Sequence, residues 1–553
     1  MDKSVHPIAP WRPKTSKVAW ICAAIPVVFG LLPFLTVLTM LTLRDLATHS
    51  SINLTEWLRV TKLTVAQAFI SSLMVCIIAP ALALATCILP ATLRRVSLSF
   101  RTLLYTLPAT VMATGFILAW GKSGQFTVML TKLGLDPQIW TWLYTSWGLI
   151  LVNVAMNAPF ASVLLYRAVA SIPNHLWDSA QLMGLKTTTL IRAICWPAMR
   201  STLQLIALVT FSISMGTFGA VAILGGGPSS QTLEMSTYIA LFTFADWSHA
   251  AIFSATHAVI NAVVVITVLI TQRRSLIQHT TDGQTANRLK HQPIRIPIRR
   301  SGSSALMLII TCILFDLALA TPIAAITIDA ALELMKREIS SDVVFFIMQA
   351  VQTSLQFAVP VALLTSLSCW LLTRGYFSNI RESSAKETKL LLTMPMLGAI
   401  VPGMALGFGY WAINSFLDLQ VTPDFLLIPI LITLTMPFIM PTISPYFARH
   451  VYPYIDFQRL NGITSSRWLL QVEGPAMLGP FMTATTLALI LTINETSVVS
   501  LLRPPENPAL STALMVLMGR YKFGEAAIGA TLLLFINFIF IAIISRSKEA
   551  THD

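Results

Sequence analysis

Apolar runs long enough to cross a bilayer alternate with short polar segments along almost the whole chain. Twelve such runs cover about residues 18–42, 63–89, 103–121, 143–169, 202–224, 249–271, 304–330, 345–373, 390–412, 425–447, 481–502 and 526–545. Each approaches the roughly 20 residues that span a hydrocarbon core of about 30 Å. The first run is too long for the apolar core of a signal peptide and lacks a small-x-small cleavage site, so it reads as a retained span. Only helices or closed barrels satisfy their backbone groups in lipid. The run length therefore predicts an all-α membrane protein of about twelve transmembrane helices.

The polar segments carry a second pattern. Asp178-Ser179-Ala180-Gln181-Leu182-Met183-Gly184 leads to Ile194 and Pro197, and Asp456-Phe457-Gln458-Arg459-Leu460-Asn461-Gly462 leads to Val472 and Pro475. The Gly-to-Pro gap is 13 residues in both, the offset is 278, and Pro159-Phe160 is matched by Pro437-Phe438 at the same offset. Ser72-Leu73 and Cys87 match Ser354-Leu355 and Cys369 more loosely, at an offset of 282. The chain reads as a duplication: a first six-span half over 1–271 with its loop at 171–200, a linker at 272–302, and a second half over 303–553 with its loop at 449–478. Six is even, so the halves run parallel about an axis along the membrane normal, with a pathway between them.

Composition and charge sharpen this. Hydrophobic residues make up 55% of the 553 positions and charged ones 11%, with a mean hydropathy of +0.72. Soluble proteins carry about a quarter charged residues, so that class is excluded. With a cytoplasmic N-terminus, alternate loops collect 27 of the 37 Lys and Arg residues and the other face holds 10. This positive-inside asymmetry places both termini and both repeated loops in the cytoplasm. The formal charge of +13 is thus topological, and the dispersed basic residues argue against nucleic acid as a partner. The linker holds seven Arg and Lys residues against Asp282, with Pro293 and Pro297 limiting helix. Six cysteines lie in or beside the spans without a C-x-x-C pair. They read as packing side chains, with no metal site or disulfide expected.

In each repeated loop, a short helix capped by Gly184 or Gly462 and a second helix ended by Pro197 or Pro475 would form a knob at the membrane surface. Asp178 and Asp456 in a first turn would suit the helix dipole and could receive a partner's cation. A soluble partner gripping both knobs could transmit force through them.

The loops resemble the Glu-Ala-Ala cytoplasmic loop of bacterial ABC importer permeases, in which acid-x-x-x-x-x-Gly is followed after nine residues by Ile-x-Leu-Pro. Asp178, Ser179, Ala180, Gly184, Ile194 and Pro197 match, with Trp196 replacing Leu. The second copy keeps Asp456, Gly462, Val472 and Pro475, while Phe457 and Gln458 replace the alanines. The resemblance spans nearly the whole chain, because the family includes fused permeases of two six-span halves. The stretch from Gly219 to Pro228, followed by Thr232-Leu233-Glu234 and Tyr238, is similar to thiamine and thiamine phosphate permeases, and fused ferric-iron permeases carry a related pattern. The resemblance implies a bacterial inner-membrane permease whose loops are coupling helices docked on a dimer of ATP-binding subunits, served by a periplasmic substrate-binding protein. Thiamine or thiamine phosphate is the implied small-molecule substrate, and ferric iron or another small solute the alternative.

No G-x-x-x-x-G-K-[ST] loop, nucleophile elbow, H-E-x-x-H or metal cluster occurs in the sequence. The chain is expected to be no enzyme and to bind no cofactor, with ATP used by a separate subunit. A twelve-span secondary transporter is a rival reading, but the loop around Leu93-Arg94-Arg95-Val96 lacks the G-x-x-x-D-R-x-G-R-R string expected there. A membrane scaffold is another. Ionisable and amide residues inside spans are costly and default to functional candidates. Asn494 and Glu495, their offset counterparts Gly216 and Thr217, and Asp316 are candidate pathway residues. The pairs Asn153/Asn157 and His257/Asn261, each spaced i, i+4, read as interhelical hydrogen-bonding groups.

Overall fold

The computed structural model describes residues 15–36, 39, 54–134, 136–225, 227, 230–271, 303–336, 341–379 and 394–550. The basic linker 272–302, with Gly226 and Pro228 of the Gly-Gly-Gly-Pro turn, lies outside the described residues. Every regular element among the described residues is helical. Among the described residues ten helices are long and apolar enough to cross a membrane, and a bent pair, Ala91–Tyr105 with Ala109–Lys132, adds an eleventh candidate crossing.

Two of the twelve apolar runs are interrupted. The third run breaks at Pro108, where the two helices diverge by 110°. The ninth, at 390–412, contributes among the described residues a 3-10 turn, Met394–Ala399, and a 14-residue helix, Gly403–Phe416, begun by Pro402. The cause is the same in both. Proline disfavours helical backbone at the residue before it and lacks the N–H that would continue the ladder.

The order of long helices recurs along the chain. Leu54–Ile88, Ser146–Ala170, Trp196–Met215 and Trp247–Thr271 are followed later by Ser341–Asn379, Pro423–His450, Gly474–Ile493 and Phe523–Ala550. Between the last two of each set, the stretches that sequence leaves as outer loops fold back as short buried helices, Leu233–Phe242 and Leu510–Gly519. They can do so because the preceding runs stop early, at Gly216-Thr217 and at Asn494-Glu495.

The N-terminal helix Thr15–Pro26 packs against Ser341–Asn379 and Pro423–His450, far along the chain, while Ser303–Met335 packs on Leu54–Ile88 and Ala109–Trp120. Thr15–Pro26 therefore lies on helices of the second set, while Ser303–Met335 bridges both, since it also packs on Phe523–Ala550. Arg101 fastens Ser303–Met335. Its side chain is fully buried and donates to Asp316 Oδ1 at 2.7 Å, Asp316 Oδ2 at 3.1 Å, Thr86 Oγ1 at 2.9 Å and Cys312 Sγ at 2.9 Å. Ser97 Oγ donates to the same carboxylate at 2.6 Å. A buried pair satisfied this fully specifies position more than it adds stability.

Candidate functional site: two surface knobs and a central cavity

Pro173 starts the helix Asn174–Leu182, which ends at Gly184 with φ +61°. Leu185 N–H donates to Ala180 O at 3.2 Å and Gly184 N–H to Gln181 O at 3.0 Å, the pair of bonds that closes a left-handed helix end. Gly462, with φ +62°, ends Ile455–Leu460 in the same way, Ile463 N–H donating to Gln458 O at 3.1 Å. The turn pushes apolar side chains outward: Leu182 is 90% and Leu460 86% exposed. Ala180 is buried beneath the first knob. Gln458, its counterpart, is also buried and donates Nε2 to Ile463 O at 3.3 Å, so the polar replacement is absorbed within its own turn.

Two expectations need correcting here. Asp178 is exposed but lies in the second turn of its helix, because Pro173 starts that helix early; only Asp456 occupies a first turn. Ser179 is spent on its own helix, donating to His175 O at 2.7 Å. Nor do Pro197 and Pro475 end a helix. Each stands at the start of a long one, Trp196–Met215 or Gly474–Ile493, directly after a π turn, Ile191–Cys195 or Leu469–Glu473. A proline within a helix removes one i→i−4 bond and crowds the carbonyl four residues back, and a wider turn relieves both. The knob is thereby joined by continuous helix to the interior. The helix Trp196–Met215 has 20 residues, about 30 Å at 1.5 Å per residue.

At the inner ends of these helices is a cavity of about 300 Å³. Gly216, Thr217, Asn494 and Glu495 all line it, joined by Asn153, Asn157, His257 and Asn261. The structure thus brings four of the five candidate pathway residues together, along with both amide and imidazole pairs. Asp316 is not among the lining residues; it is the partner of Arg101. Asn153 serves the cavity wall, accepting from Thr217 Oγ1 at 3.0 Å and donating to Gln67 Oε1 at 3.1 Å, while Gln67 donates to Ser214 O at 2.7 Å. Glu495 Oε1 accepts from Ser497 Oγ at 2.6 Å and Ser497 N–H at 3.0 Å.

The two proline breaks face this cavity and leave carbonyls without helical partners. Asn494 Nδ2 donates to Thr106 O at 2.7 Å, ahead of Pro108, and Asn261 Nδ2 donates to Ile400 O at 3.1 Å, ahead of Pro402. Each break is therefore capped by an amide from the opposite part of the chain. Asn537 and Ser212 hold these two amides in turn, bonding Asn494 and Asn261.

Sequence reasoning missed Glu234 as a site residue, placing it only within a resembling stretch. It is 2% exposed, lines the cavity and lies 3.9 Å from His257 Nδ1. The available signal was a lone acid opening the apolar run Leu233–Phe242. Arg101 was missed as well, since a single arginine in a short basic loop looks like any other topological charge. Among the described residues no three of His, Cys, Asp and Glu are grouped to hold a metal ion.

Residues 81–276 match the model of a family described as binding-protein-dependent transport system inner membrane component. The thiamine transport system permease protein ThiP of Escherichia coli (strain K12) is 27% identical over 490 residues, covering 87% of both chains. The protein of that name from Salmonella typhimurium is 26% identical over 493 residues, again 87% of both, and that from Haemophilus influenzae 23% over 460 residues, 82% of both. No solved structure matches significantly.

Proposed function

We propose that this chain, an inner-membrane permease component of an ABC importer, carries thiamine or thiamine phosphate into the bacterial cytoplasm. The observation that carries the reading is the end-to-end likeness to thiamine transport system permease proteins, over 87% of both chains. In this reading residues 1–271 and 303–553 form two permease halves joined by the cytoplasmic segment 272–302. The knobs within 171–200 and 449–478 dock on two copies of a separate ATP-binding subunit, which hydrolyses the ATP. A periplasmic binding protein delivers cargo to the opposite face. The exposed Leu182 and Leu460 at two left-handed turns of like geometry suit insertion into a groove, and the unbroken helical path from each knob to the cavity suits transmission of movement.

The mechanism is alternating access. Closure of the ATP-binding subunits would draw the knobs together, and the long helices would carry that displacement to Gly216-Thr217 and Asn494-Glu495, where the helices end and the cavity begins.

The test is uptake of labelled thiamine by cells that lack their own thiamine permease and express this chain with its ATP-binding and binding-protein partners. The expected result is ATP-dependent accumulation, with the ATP-binding subunit co-purifying in mild detergent. Accumulation of ferric iron instead of thiamine would move the cargo assignment, and absence of any co-purifying ATPase would overturn the coupling assignment. Single cysteines replacing the exposed Phe244 and Tyr521 should label from the periplasm, whereas one at residue 285 should not.

A further inference from the structure

Two carboxylates enter the central cavity from different parts of the chain, and repetition did not place them there. Glu495 stands where the 278 offset has Thr217. Glu234 is the second residue of Leu233–Phe242, and the second residue of the corresponding helix Leu510–Gly519 is Ser511, which donates to Glu495 O at 2.9 Å. The cavity lining contains both acids and neither lysine nor arginine.

Their surroundings differ. Glu495 is half-buried and has its Oε1 engaged by Ser497. Glu234 is buried, yet its Oε2 has no hydrogen-bond partner among the described residues. His257 lies 3.9 Å from the other oxygen, beyond hydrogen-bonding distance. The backbone N–H groups of Phe218 and Met404 approach the carboxylate and partly offset its burial, but a carboxylate held inside a membrane protein with no cationic partner among the described residues is costly and marks a pathway or a ligand. A cation passing through is the partner this position lacks.

We infer that Glu234, with Glu495 as the second and weaker carboxylate, forms a transit site for an organic monocation. The inference rests on the importer reading above and names where its cargo would be held. The cavity of about 300 Å³ lies at the small end of ligand-sized cavities. Phe218 and Phe438 add aromatic surface to the lining, which favours a ring-borne or quaternary charge. A compact metal ion needs several ligands converging on one point, and the grouping of acid, imidazole and thiol ligands among the described residues does not supply it. A transit site must also release its ion. Pre-engagement of Glu495 by Ser497 leaves one strong attraction in place of two.

The test uses the full complex of permease and ATP-binding subunits, purified in lipid nanodiscs, and labelled thiamine as probe. Glu234→Gln should weaken thiamine binding at least tenfold, Glu495→Gln about threefold, and Glu234→Asp less than Glu234→Gln. A neutral thiamine analogue with a reduced thiazolium ring should bind wild type and Glu234→Gln within twofold of each other, a charge selectivity that general loss of structure would not produce. Equal thiamine binding by wild type and Glu234→Gln overturns the site. So does equal loss of the charged and the neutral ligand. If the wild-type complex binds no thiamine, the cargo reading falls, and an N-alkylpyridinium probe then judges the site alone. Thermal stabilisation by that probe in wild type but not in Glu234→Gln upholds it, and no difference between the two overturns it.

Discussion

The two π turns behind the surface knobs have the same backbone and different chemistry. Ile191–Cys195 ends in a fully buried cysteine that packs among apolar neighbours. Leu469–Glu473 ends, at the same 278 offset, in a buried glutamate bonded by Trp370 Nε1 at 2.9 Å and by Arg374 Nε at 3.3 Å. Both turns directly precede a proline at the start of a long helix, Pro197 or Pro475; what holds each one against the neighbouring long helix differs. The first support is non-directional and tolerant, and the second is ionic and depends on both partners being present.

That contrast is broken most severely at Arg374. Arg374→Met leaves Glu473 buried beside a single indole donor, and breaking a buried ion pair typically costs about 3–5 kcal/mol. The expected outcome is a large loss of folded protein in detergent, measured by fluorescence size-exclusion thermal melts. Cys195→Ala, at the matching position, should lower stability by about 1 kcal/mol, in line with losing a small buried group. Arg374→Met combined with Glu473→Leu should recover most of the loss, since a well-packed apolar replacement of a buried pair is often neutral. No recovery would show that the ionic support does more than hold the turn.

The knobs permit a finer comparison. A Cβ on Gly184 or Gly462 would meet nothing within 4 Å, so the demand for glycine there is one of backbone conformation alone. A left-handed residue other than glycine costs roughly 1–2 kcal/mol, and asparagine tolerates the region best. Gly184→Val should therefore cut substrate uptake about tenfold or more, while Gly184→Asn stays within about twofold of wild type. Gly462→Val should have the smaller effect of the two valine variants, because the second knob departs from the first at Phe457 and Gln458. Equal losses at both positions would mean that the knobs contribute alike.

The smallest effects are expected at the two amide caps. Interhelical hydrogen bonds in membranes contribute about 0.6–1.7 kcal/mol. Asn261→Ala and Asn494→Ala should each destabilise the detergent-solubilised protein within that range. The two losses should be similar, since each frees one carbonyl and one side chain, Thr106 O and Asn537 in one case and Ile400 O and Ser212 in the other. Ligand-free melts of the single and double variants would show whether the two caps act independently.

Much of this molecule was legible in one dimension. Run length alone indicated an all-helical membrane protein, because lipid leaves the backbone few alternatives. The 13-residue Gly-to-Pro spacing located both knobs and the residues that turn left-handed, since only local backbone energetics decide such a turn. Gly216-Thr217 and Asn494-Glu495, singled out in the sequence, each mark an interrupted apolar run, and all four line the central cavity.

What sequence left undecided depends on neighbours distant along the chain. Asp316 looked like a pathway acid until the fold set it against Arg101, 215 residues away. Glu234 looked like part of an outer loop until that loop folded inward beside His257. The proline breaks are local, yet only the packed structure shows that Asn494 and Asn261 reach across to the carbonyls they release. Length, period and turn chemistry act over a few residues and can be read in order. Whether a buried charge is a structural lock or an open binding group depends on which side chain the tertiary fold places beside it.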